Sequence, residues 1–430
     1  MIPLFALMLA LVAVLLYELR RRVPIWPLSP VWLIIAGYLA LGFLGRCGMK
    51  WSYAVYGQEF LFITFSSGAL DRTLLWFLFC TASFAAGALL WVWVSQSPDL
   101  PVELGVSGKR DGGAVWLIVA FGALVLLAIG VGPENLLYRT TYQTSPVAWA
   151  RIGGEALIPV GVGLSGYVAL GFESRLVKAG AILAAIGYLL VTFAMATRFM
   201  AVVPVMFALG AFCAQPGSRT AQILFYGGIL VSPLLVPVPL VMRNQGEQGL
   251  IPFFSVLGTG AELFTHQHIL RSAIGQALLS FPLATFVAER HPLSTSVLWS
   301  CLSPMPGRMT NFYEIYPTLM LNSFTPYNTI GMLMNYGPLI GGSFYMAVGF
   351  YLSHVDWKIR RDLRRGYVLR SLVLFGFSAF FLLTTTEYVL RSSCRPIYYS
   401  IAFEMLIALF FAEGAKEAYP AQQPARISVS

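Results

Sequence analysis

The sequence predicts an all-α polytopic membrane protein with about eleven transmembrane helices and a large extracytoplasmic loop. Of its 430 residues, 57% are hydrophobic and only 11% are charged, whereas about 25% of the residues in a soluble domain are charged. The hydrophobic residues also fall into uninterrupted runs of about 17–25 residues, the length that crosses a bilayer as a helix. We therefore expect one transmembrane domain over residues 1–430 rather than several soluble domains.

Eleven apolar runs give the predicted spans. They cover residues 2–17, 28–45, 73–94, 114–132, 153–172, 179–197, 199–214, 221–241, 328–353, 371–390 and 397–413. The sixth and seventh runs are separated only by a short polar break, and the seventh contains Pro204, so a re-entrant hairpin is the alternative there. The first run lacks a basic leading segment and a small-residue cleavage site, which indicates a retained span rather than a signal peptide.

The basic residues orient these spans. The positive-inside rule places Lys/Arg-rich loops in the cytoplasm, and the segment 354–370 carries six basic residues between Lys358 and Arg370. With this basic loop inside, the N-terminus is outside and residues 243–327 form the large extracytoplasmic loop. Of the 28 lysines and arginines, 16 then lie inside and 12 outside, and all of the outer residues except Lys50 are arginines.

The outer arginines are candidates for binding phosphate. A guanidinium is a planar fork that binds phosphate oxygens through two parallel hydrogen bonds, whereas a lysine ammonium is a strongly hydrated point charge. We expect a diphosphate-bearing, lipid-borne substrate to be bound by Arg198, Arg243, Arg271, Arg290, Arg308 and Arg391. The alternative is that these arginines anchor helix ends at lipid headgroups.

The extracytoplasmic loop 243–327 is long enough to indicate a function. Residues 267–281 place apolar side chains at helical spacing and polar ones on the opposite face. This pattern predicts an amphipathic helix that lies on the membrane or caps the bundle, and residues 283–287 extend it beyond a kink at Pro282. Candidates for the base that deprotonates a substrate hydroxyl are Glu262, His266, His268 and Glu314.

The sequence favours chemistry without a metal or a cofactor. The five cysteines show no CxxC spacing, and the four histidines form no HExxH motif. A phosphate loop, a dinucleotide-binding GxGxxG motif that follows a strand and an Asp-rich metal motif are also missing from the sequence. The net charge of +9 does not indicate a nucleic-acid partner, because topology accounts for where the basic residues lie.

The segment 321–342, LNSFTPYNTIGMLMNYGPLIGG, carries a family resemblance. It resembles Wzy-type O-antigen and oligosaccharide repeat-unit polymerases, in which an Asn-x-aromatic-Thr segment precedes a helix with an aromatic–Gly pattern. The matching residues are Asn322, Phe324, Thr325, Asn335, Tyr336, Gly337 and Gly341. The large outer loop and the arginine before an apolar helix, here Arg198, are also similar, although Ala196 and Thr197 stand where the family often has Gly-Ser.

The resemblance implies a GT-C-like membrane glycosyltransferase of the bacterial inner membrane. Such an enzyme polymerises undecaprenyl-diphosphate-linked oligosaccharide repeat units at the outer face of the membrane, without a metal, and works beside a chain-length regulator and a flippase. The candidate sugar-binding residues are Asn322, Thr325, Asn328, Tyr313 and Glu387. The alternatives are an O-antigen ligase-like glycosyltransferase and a transporter or flippase of lipid-linked oligosaccharides.

Two further carboxylates are predicted to have defined neighbours. Glu387 and Arg391 are four residues apart, so we expect them on one helical face, either as an ion pair or beside a substrate. Glu404 lies at the centre of the last predicted span and is expected to be the most buried carboxylate. It is expected either to act in function or to have a basic partner, such as one on the tenth span.

Overall fold

The computed structural model describes residues 2–55, 65–95, 113–140, 146–197, 199–215, 218–235, 246–259, 278–290, 292–322 and 325–411. Most of these residues are helical, and they form a multi-pass helical bundle. The prediction of an all-α polytopic membrane protein is therefore confirmed at the level of fold class.

The helices of the first half are α1 (Ile2–Arg22), α2 (Pro30–Val55), α3 (Ser67–Ser95), α4 (Gly113–Val131), α5 (Pro133–Leu137), α6 (Ala148–Gly171), α7 (Arg175–Ala194), α8 (Phe199–Ala214) and α9 (Arg219–Leu235). Those of the second half are α10 (Leu250–Thr259), α11 (Ser280–Glu289), α12 (Thr295–Leu302), α13 (Phe312–Ile315), α14 (Thr329–Tyr336), α15 (Pro338–Arg364), α16 (Val368–Glu387) and α17 (Leu390–Phe411). Two 3-10 turns cover Gly307–Thr310 and Tyr316–Leu319.

Among the described residues, seven helices are long and apolar enough to cross a membrane, namely α1, α2, α3, α4, α6, α7 and α16. The apolar helix α8 is shorter, with 16 residues, and α9 has 17. The longer helices α15 and α17 carry several charged residues. The total of eleven spans therefore stays a prediction.

Glycine allows two pairs of helices in the bundle to pack at very short range. A Cβ atom built on Gly87 of α3 would lie 1.9 Å from the Met346 carbonyl oxygen of α15. One built on Gly349 of α15 would lie 2.0 Å from the Phe84 carbonyl oxygen of α3. Helices α6 and α8 meet in the same way at Gly166. Small residues let helix backbones approach closely, which is how helices associate in lipid.

The predicted ninth span, 328–353, is wrong as a single helix. Helix α14 ends at Tyr336, and Gly337 follows with φ of 91°, a conformation that residues with a Cβ atom rarely adopt. Helix α15 begins at Pro338 and continues to Arg364. Most of the predicted basic loop 354–370 is consequently helical, and only three residues, 365–367, connect α15 to α16.

The structure agrees with the expectation for Glu404 only in part, because Glu404 has a basic partner but is not the most buried carboxylate. The Glu404 carboxylate of α17 lies 2.5 Å from Lys358 Nζ and 3.2 Å from His354 Nε2. Both partners belong to α15 and not to the tenth span, α16. Asp356 and Asp362 of α15 are also more buried than Glu404. The contacts between α17 and α15 thus give charged side chains of α15 a partner, so this helix can contain a polar stretch.

We call the end of the bundle where α2 ends and α3 begins the outer side, following the predicted orientation. There, residues 278–290, 292–322 and 325–326 form a layer that we call the outer cap. Its helix α11 is inserted into the bundle and contacts α2, α3 and α14. Phe281 stacks on Phe77 of α3 with ring centroids 5.7 Å apart, and the Thr285 hydroxyl lies 2.9 Å from that of Thr73.

The amphipathic helix predicted within the extracytoplasmic loop agrees only in part with the structure of the outer cap. Residues 283–287 are helical as expected, but they are almost completely buried inside the protein rather than spread on a membrane surface. Residues 260–277, which contain most of the predicted amphipathic helix, lie outside the described residues. The buried face of α11 is apolar, and the surrounding helices supply the apolar contacts that it needs.

The outer cap also contains the one sheet among the described residues. Strand β1 (Met320–Asn322) pairs antiparallel with β2 (Thr325–Pro326), so that Met320 faces Pro326 and Asn322 faces Thr325. The all-α prediction therefore missed a short hairpin within the segment that carries the family resemblance. Two- and three-residue strands leave too little alternation of apolar and polar residues to be detected in a sequence.

A candidate anion site at the outer side

The best-defined candidate site is built around Arg139, in the connection between α5 and α6. The Arg139 side chain is only 7% exposed. Its Nε and Nη2 donate to Gln248 Oε1 at 3.1 and 2.9 Å, and Nη2 also donates to the Met195 carbonyl oxygen at 2.8 Å. These acceptors are a side-chain amide and a backbone carbonyl. Arg139 thereby joins three chain segments, 132–140, 195–197 and 246–253, which we call the arginine junction.

Backbone conformations that favour glycine allow the junction to form. Arg139 and Gln248 exchange two backbone hydrogen bonds of 2.8 Å each. Directly after this pair, Gly249 has φ of 120°, and a Cβ atom there would lie 2.4 Å from the Leu137 carbonyl oxygen. Another residue at this position would push the two segments apart.

A hydroxyl–carboxylate pair lies beside the buried arginine in the sequence. Tyr138 Oη donates to Glu247 Oε1 at 3.2 Å, and both residues are exposed. The hydrogen bond to the Glu247 carboxylate raises the pKa of Tyr138. An exposed carboxylate next to a buried guanidinium combines a proton acceptor with an anion-binding group.

Helix α10 places an apolar surface next to the junction. Phe253 is buried and stacks on Phe193 of α7 with ring centroids 4.2 Å apart. On the other face of the same helix, Ile251 and Phe254 are 60% and 55% exposed. An exposed apolar face at the end of a membrane bundle is where a lipid chain can lie.

Three of the six arginines predicted to bind diphosphate precede the cap in the sequence, and the structure describes none of these three. Arg198, Arg243 and Arg271 lie outside the described residues, as do the candidate bases Glu262, His266 and His268. Arg198 is three residues after Met195 in the sequence, and Arg243 is five before Gln248. The sequence thus connects Arg198 and Arg243 to two of the three segments that Arg139 joins.

Among the described arginines of the predicted set, the buried one is Arg391, which lies at the start of α17 and contacts the outer cap rather than the junction. Its guanidinium donates to the carbonyl oxygens of Ser300 and Met305 and to Thr310 Oγ1 at 3.3 Å. The guanidinium also lies over the Phe312 ring, 4.9 Å from its centroid. These contacts fasten the start of α17 to the cap.

The remaining predicted residues of the cap are exposed. Arg290 lies over the Phe286 ring at 4.4 Å, and Arg308, Tyr313 and Glu314 lie on the surface of the cap. Glu314 is the one candidate base that the structure describes, and it belongs to α13 of the cap. The structure therefore groups these residues apart from the segments of the arginine junction.

The predicted sugar-binding residues divide between the surface and the interior. Asn328 is fully buried and caps α14: its Oδ1 accepts from the Gly331 amide at 3.0 Å, and its Nδ2 donates to the Ser280 carbonyl oxygen at 2.7 Å. Asn328 is therefore the N-cap of α14, whereas Asn322 and Thr325 pair in the hairpin.

Glu387 and Arg391 do not share a helical face as expected. Helix α16 ends at Glu387, Tyr388 is extended, and α17 begins at Leu390. The spacing of four residues that brings side chains together applies only within one continuous helix.

The glycines and polar residues of the family-like segment shape the backbone. Asn335 Oδ1 accepts from the Leu293 amide at 2.8 Å, and Tyr336 Oη donates to the Ser294 carbonyl oxygen at 3.0 Å. Gly337 provides the break already described. A Cβ atom on Gly341 would lie 2.6 Å from the Trp76 ring, so this glycine permits close contact with α3.

Several outer arginines that are not in the predicted diphosphate-binding set have acidic partners within the protein. Arg46 pairs with Asp71 at 2.7 Å, and Arg151 pairs with Glu155 at 2.8 Å. Arg72 lies 3.2 Å from Glu289 of α11. Ion pairs of this kind neutralise the guanidinium and occupy its donors.

Sequence reasoning missed the centre of the junction. Arg139 is one of the outer arginines but not one of the six predicted to bind diphosphate, and Tyr138, Glu247 and Gln248 are not among the predicted site residues. The available signal was glycine: Gly132 and Gly249 mark sharp turns on both sides of the bridge. Which turns meet in space is decided by long-range packing, which a single sequence does not display.

Within the described part of the chain, no group of three or more His, Cys, Asp or Glu residues is arranged to hold a metal ion. Comparisons with protein-family models, with curated proteins and with solved structures found no match. The site is therefore interpreted from its own geometry.

Proposed function

We propose that the protein is a membrane glycosyltransferase that elongates glycans carried on a polyprenyl diphosphate at the outer face of a bacterial inner membrane. The observation that carries this proposal is the buried Arg139, whose guanidinium joins three segments at the outer side of the bundle. The family resemblance of the segment 321–342 supplies the reaction class and the undecaprenyl carrier. In this proposal the exposed face of α10 receives the lipid chain.

The proposed reaction needs an anion-binding group and a proton acceptor. As the glycosidic bond to the diphosphate breaks, negative charge develops on the leaving phosphate oxygen, and a preorganised guanidinium stabilises it. The hydroxyl of the acceptor sugar loses its proton to a carboxylate or an imidazole. Glu247 joins Glu262, His266, His268 and Glu314 as a candidate for that role, because it lies at the junction itself.

Reconstitution with defined substrates tests this proposal. Purified protein in liposomes is given synthetic undecaprenyl-diphosphate-linked repeat units, without nucleotide, and the products are separated by size. We expect glycans of two or more repeat units. If the wild-type protein yields only the starting unit, the glycosyltransferase proposal is wrong.

The substitution Gln248→Glu tests the role of Arg139. A glutamate accepts the same hydrogen bonds, so the melting temperature should not fall, but its negative charge competes with the substrate diphosphate. We expect elongation to slow by roughly tenfold or more, since like charges at a binding site are strongly unfavourable. Gln222→Glu adds the same charge at an exposed position of α9 and should leave the rate unchanged. An unchanged rate in Gln248→Glu would contradict anion binding at the junction.

A second candidate function is transport of the same lipid-linked oligosaccharides. The observation that favours it is the break between α14 and α15 at Gly337, since transporters often bind substrates at discontinuous helices. A flipping assay in the same liposomes distinguishes the two functions, because a transporter moves the repeat unit across the bilayer without lengthening it.

A further inference from the structure

The outer cap and the last helix are connected at a point where two cysteines lie on facing elements. Helix α12 ends with Ser300, Cys301 and Leu302, and it packs against α17. Arg391 donates to the Ser300 carbonyl oxygen, and Tyr398 Oη donates to the Leu302 carbonyl oxygen. The two residues that flank Cys301 are thus both bonded to α17.

The partners on α17 enclose Cys394. Arg391, Cys394 and Tyr398 are separated by three and four residues, so they lie along one face of the helix. This is the face that contacts the end of α12. Cys301 and Cys394 are both buried, at 0% and 3% exposure, so each thiol lies inside the contact between the two helices.

Both cysteines are free thiols in the structure. Burial raises the pKa of the Cys301 thiol, and the backbone amide of Arg391, at the first turn of α17, lowers it. Side chains on a helix tilt toward its N-terminus, so the Cys394 side chain leans back toward the same turn. Burial also raises the pKa of Cys394, and Cys301 is among the groups that add to this rise.

We propose that Cys301 and Cys394 form a disulfide that fastens the outer cap to α17. This inference rests on the outer placement of the cap and not on glycosyl transfer. On the outer side of a bacterial inner membrane, thiols are exposed to an oxidising compartment. The sequence spacing does not suggest the pair, because the two cysteines are 93 residues apart.

The reaction balances with a protein disulfide as the oxidant. One thiolate attacks a sulfur of the oxidant and forms a mixed disulfide, which the second cysteine then resolves. The two cysteines lose two protons and two electrons, and the oxidant leaves as a dithiol. Burial raises the pKa of the Cys301 thiol to about 11, so the reactive thiolate is scarce once α12 has packed. The disulfide therefore forms while the cap is still assembling.

Counting free thiols tests the proposal. Membranes are dissolved in SDS with an alkylating reagent, with or without a reductant, and the mass of the intact protein is measured. The wild-type protein has five cysteines, so we expect three alkylated thiols without reductant and five after reduction. The Cys301→Ser variant should give four in both conditions, because Cys394 has lost its partner. Cys80→Ser, a buried cysteine elsewhere in the bundle, should give two without reductant and four with it.

Five alkylated thiols in the unreduced wild-type protein would overturn the proposal, and so would two. If the peptides of the unreduced protein are mapped, a disulfide-linked pair other than Cys301 with Cys394 would also overturn it. Reduction should also lower the melting temperature of the wild-type protein but not that of the double variant Cys301→Ser/Cys394→Ser. These measurements do not use activity, so they stand apart from the test of the glycosyltransferase proposal.

Discussion

The outer cap and the arginine junction lie on the same side of the bundle, and a buried arginine is bonded to each of them. At the cap, Arg391 of α17 donates to two carbonyl oxygens and is covered by the Phe312 ring. In the junction, Arg139 is held by Gln248 and Met195, and the neighbouring Tyr138 and Glu247 are exposed. The comparison teaches that two buried arginines can have different surroundings: an aromatic ring covers Arg391, whereas exposed polar residues flank Arg139 in the sequence.

The two regions also differ in how they depend on the core. Helix α11 of the cap is inserted between α2, α3 and α14, so the cap is part of the hydrophobic core. At the junction, the main apolar contact is the stack of Phe253 on Phe193, which belongs to a separate small cluster. We therefore expect substitutions in the cap to change stability most and substitutions in the junction to change chemistry.

The largest expected effect concerns the sidedness of both regions. In a background with the exposed Cys47 replaced by serine, Ser296→Cys in the cap and Ser255→Cys in α10, two residues beyond the junction, should react with a membrane-impermeant thiol reagent added outside the cell. Tyr367→Cys, between α15 and α16, should react only after the membrane is opened, because it lies at the opposite end of the bundle. All three positions are exposed in the structure. Labelling of one region without the other would break the comparison.

Phe281→Ala should destabilise the protein by about 3–5 kcal/mol, because it leaves a large cavity where α11 meets α3. The change is measured as a fall in the denaturation midpoint in detergent. Phe254→Ala, at an exposed position of α10 next to the junction, is the matched control and should change the midpoint by less than about 0.5 kcal/mol. If both variants lose the same amount of stability, the cap does not depend on the hydrophobic core more than the junction does.

Asn328→Ala should cost about 2–3 kcal/mol, because the buried Gly331 amide and the Ser280 carbonyl oxygen lose their partner. If Asn328 acts only as a helix cap, elongation per folded molecule should stay at the wild-type rate. Thr318→Ala, at an exposed position of the cap, serves as the control for stability. A variant that folds normally but elongates slowly would favour the sugar-binding role predicted from the sequence.

The smallest expected effect is a titration at the junction. The folded protein raises the pKa of Tyr138 above the ordinary value of about 10, because the hydroxyl donates to the Glu247 carboxylate. The stabilising contribution of this bond is therefore complete below pH 10 and is lost as the pH rises through the raised pKa. Glu247→Gln should return the tyrosine titration, followed by ultraviolet absorbance and assigned with Tyr138→Phe, toward its ordinary value. An unchanged titration curve would show that the two side chains do not meet in solution.

The sequence predicted those features that depend on local composition. Long apolar runs predicted the helices of the bundle, and the segment 321–342 contains the glycines that break the helix at Gly337 and allow close contact at Gly341. The sequence could not show that α11 is buried, because an apolar face on a loop helix fits a membrane surface and a protein interior equally well. It also could not reveal the pairing of Arg139 with Gln248, since residues more than a hundred positions apart leave no periodic signal.

The insertion of α11 has a consequence for how the protein is made. Phe281 fills its place beside Phe77, but about 200 residues of chain are synthesised between them. At a translation rate of roughly 5–20 residues per second, α2 and α3 wait on the order of 10–40 s in the membrane before their partner emerges. During that interval the surface around Gly45 and Thr73 is covered by lipid or by a helper protein instead of α11. Assembly of the outer half is therefore delayed until after translocation of the large loop, and a slow step in biogenesis is built into the order of the chain.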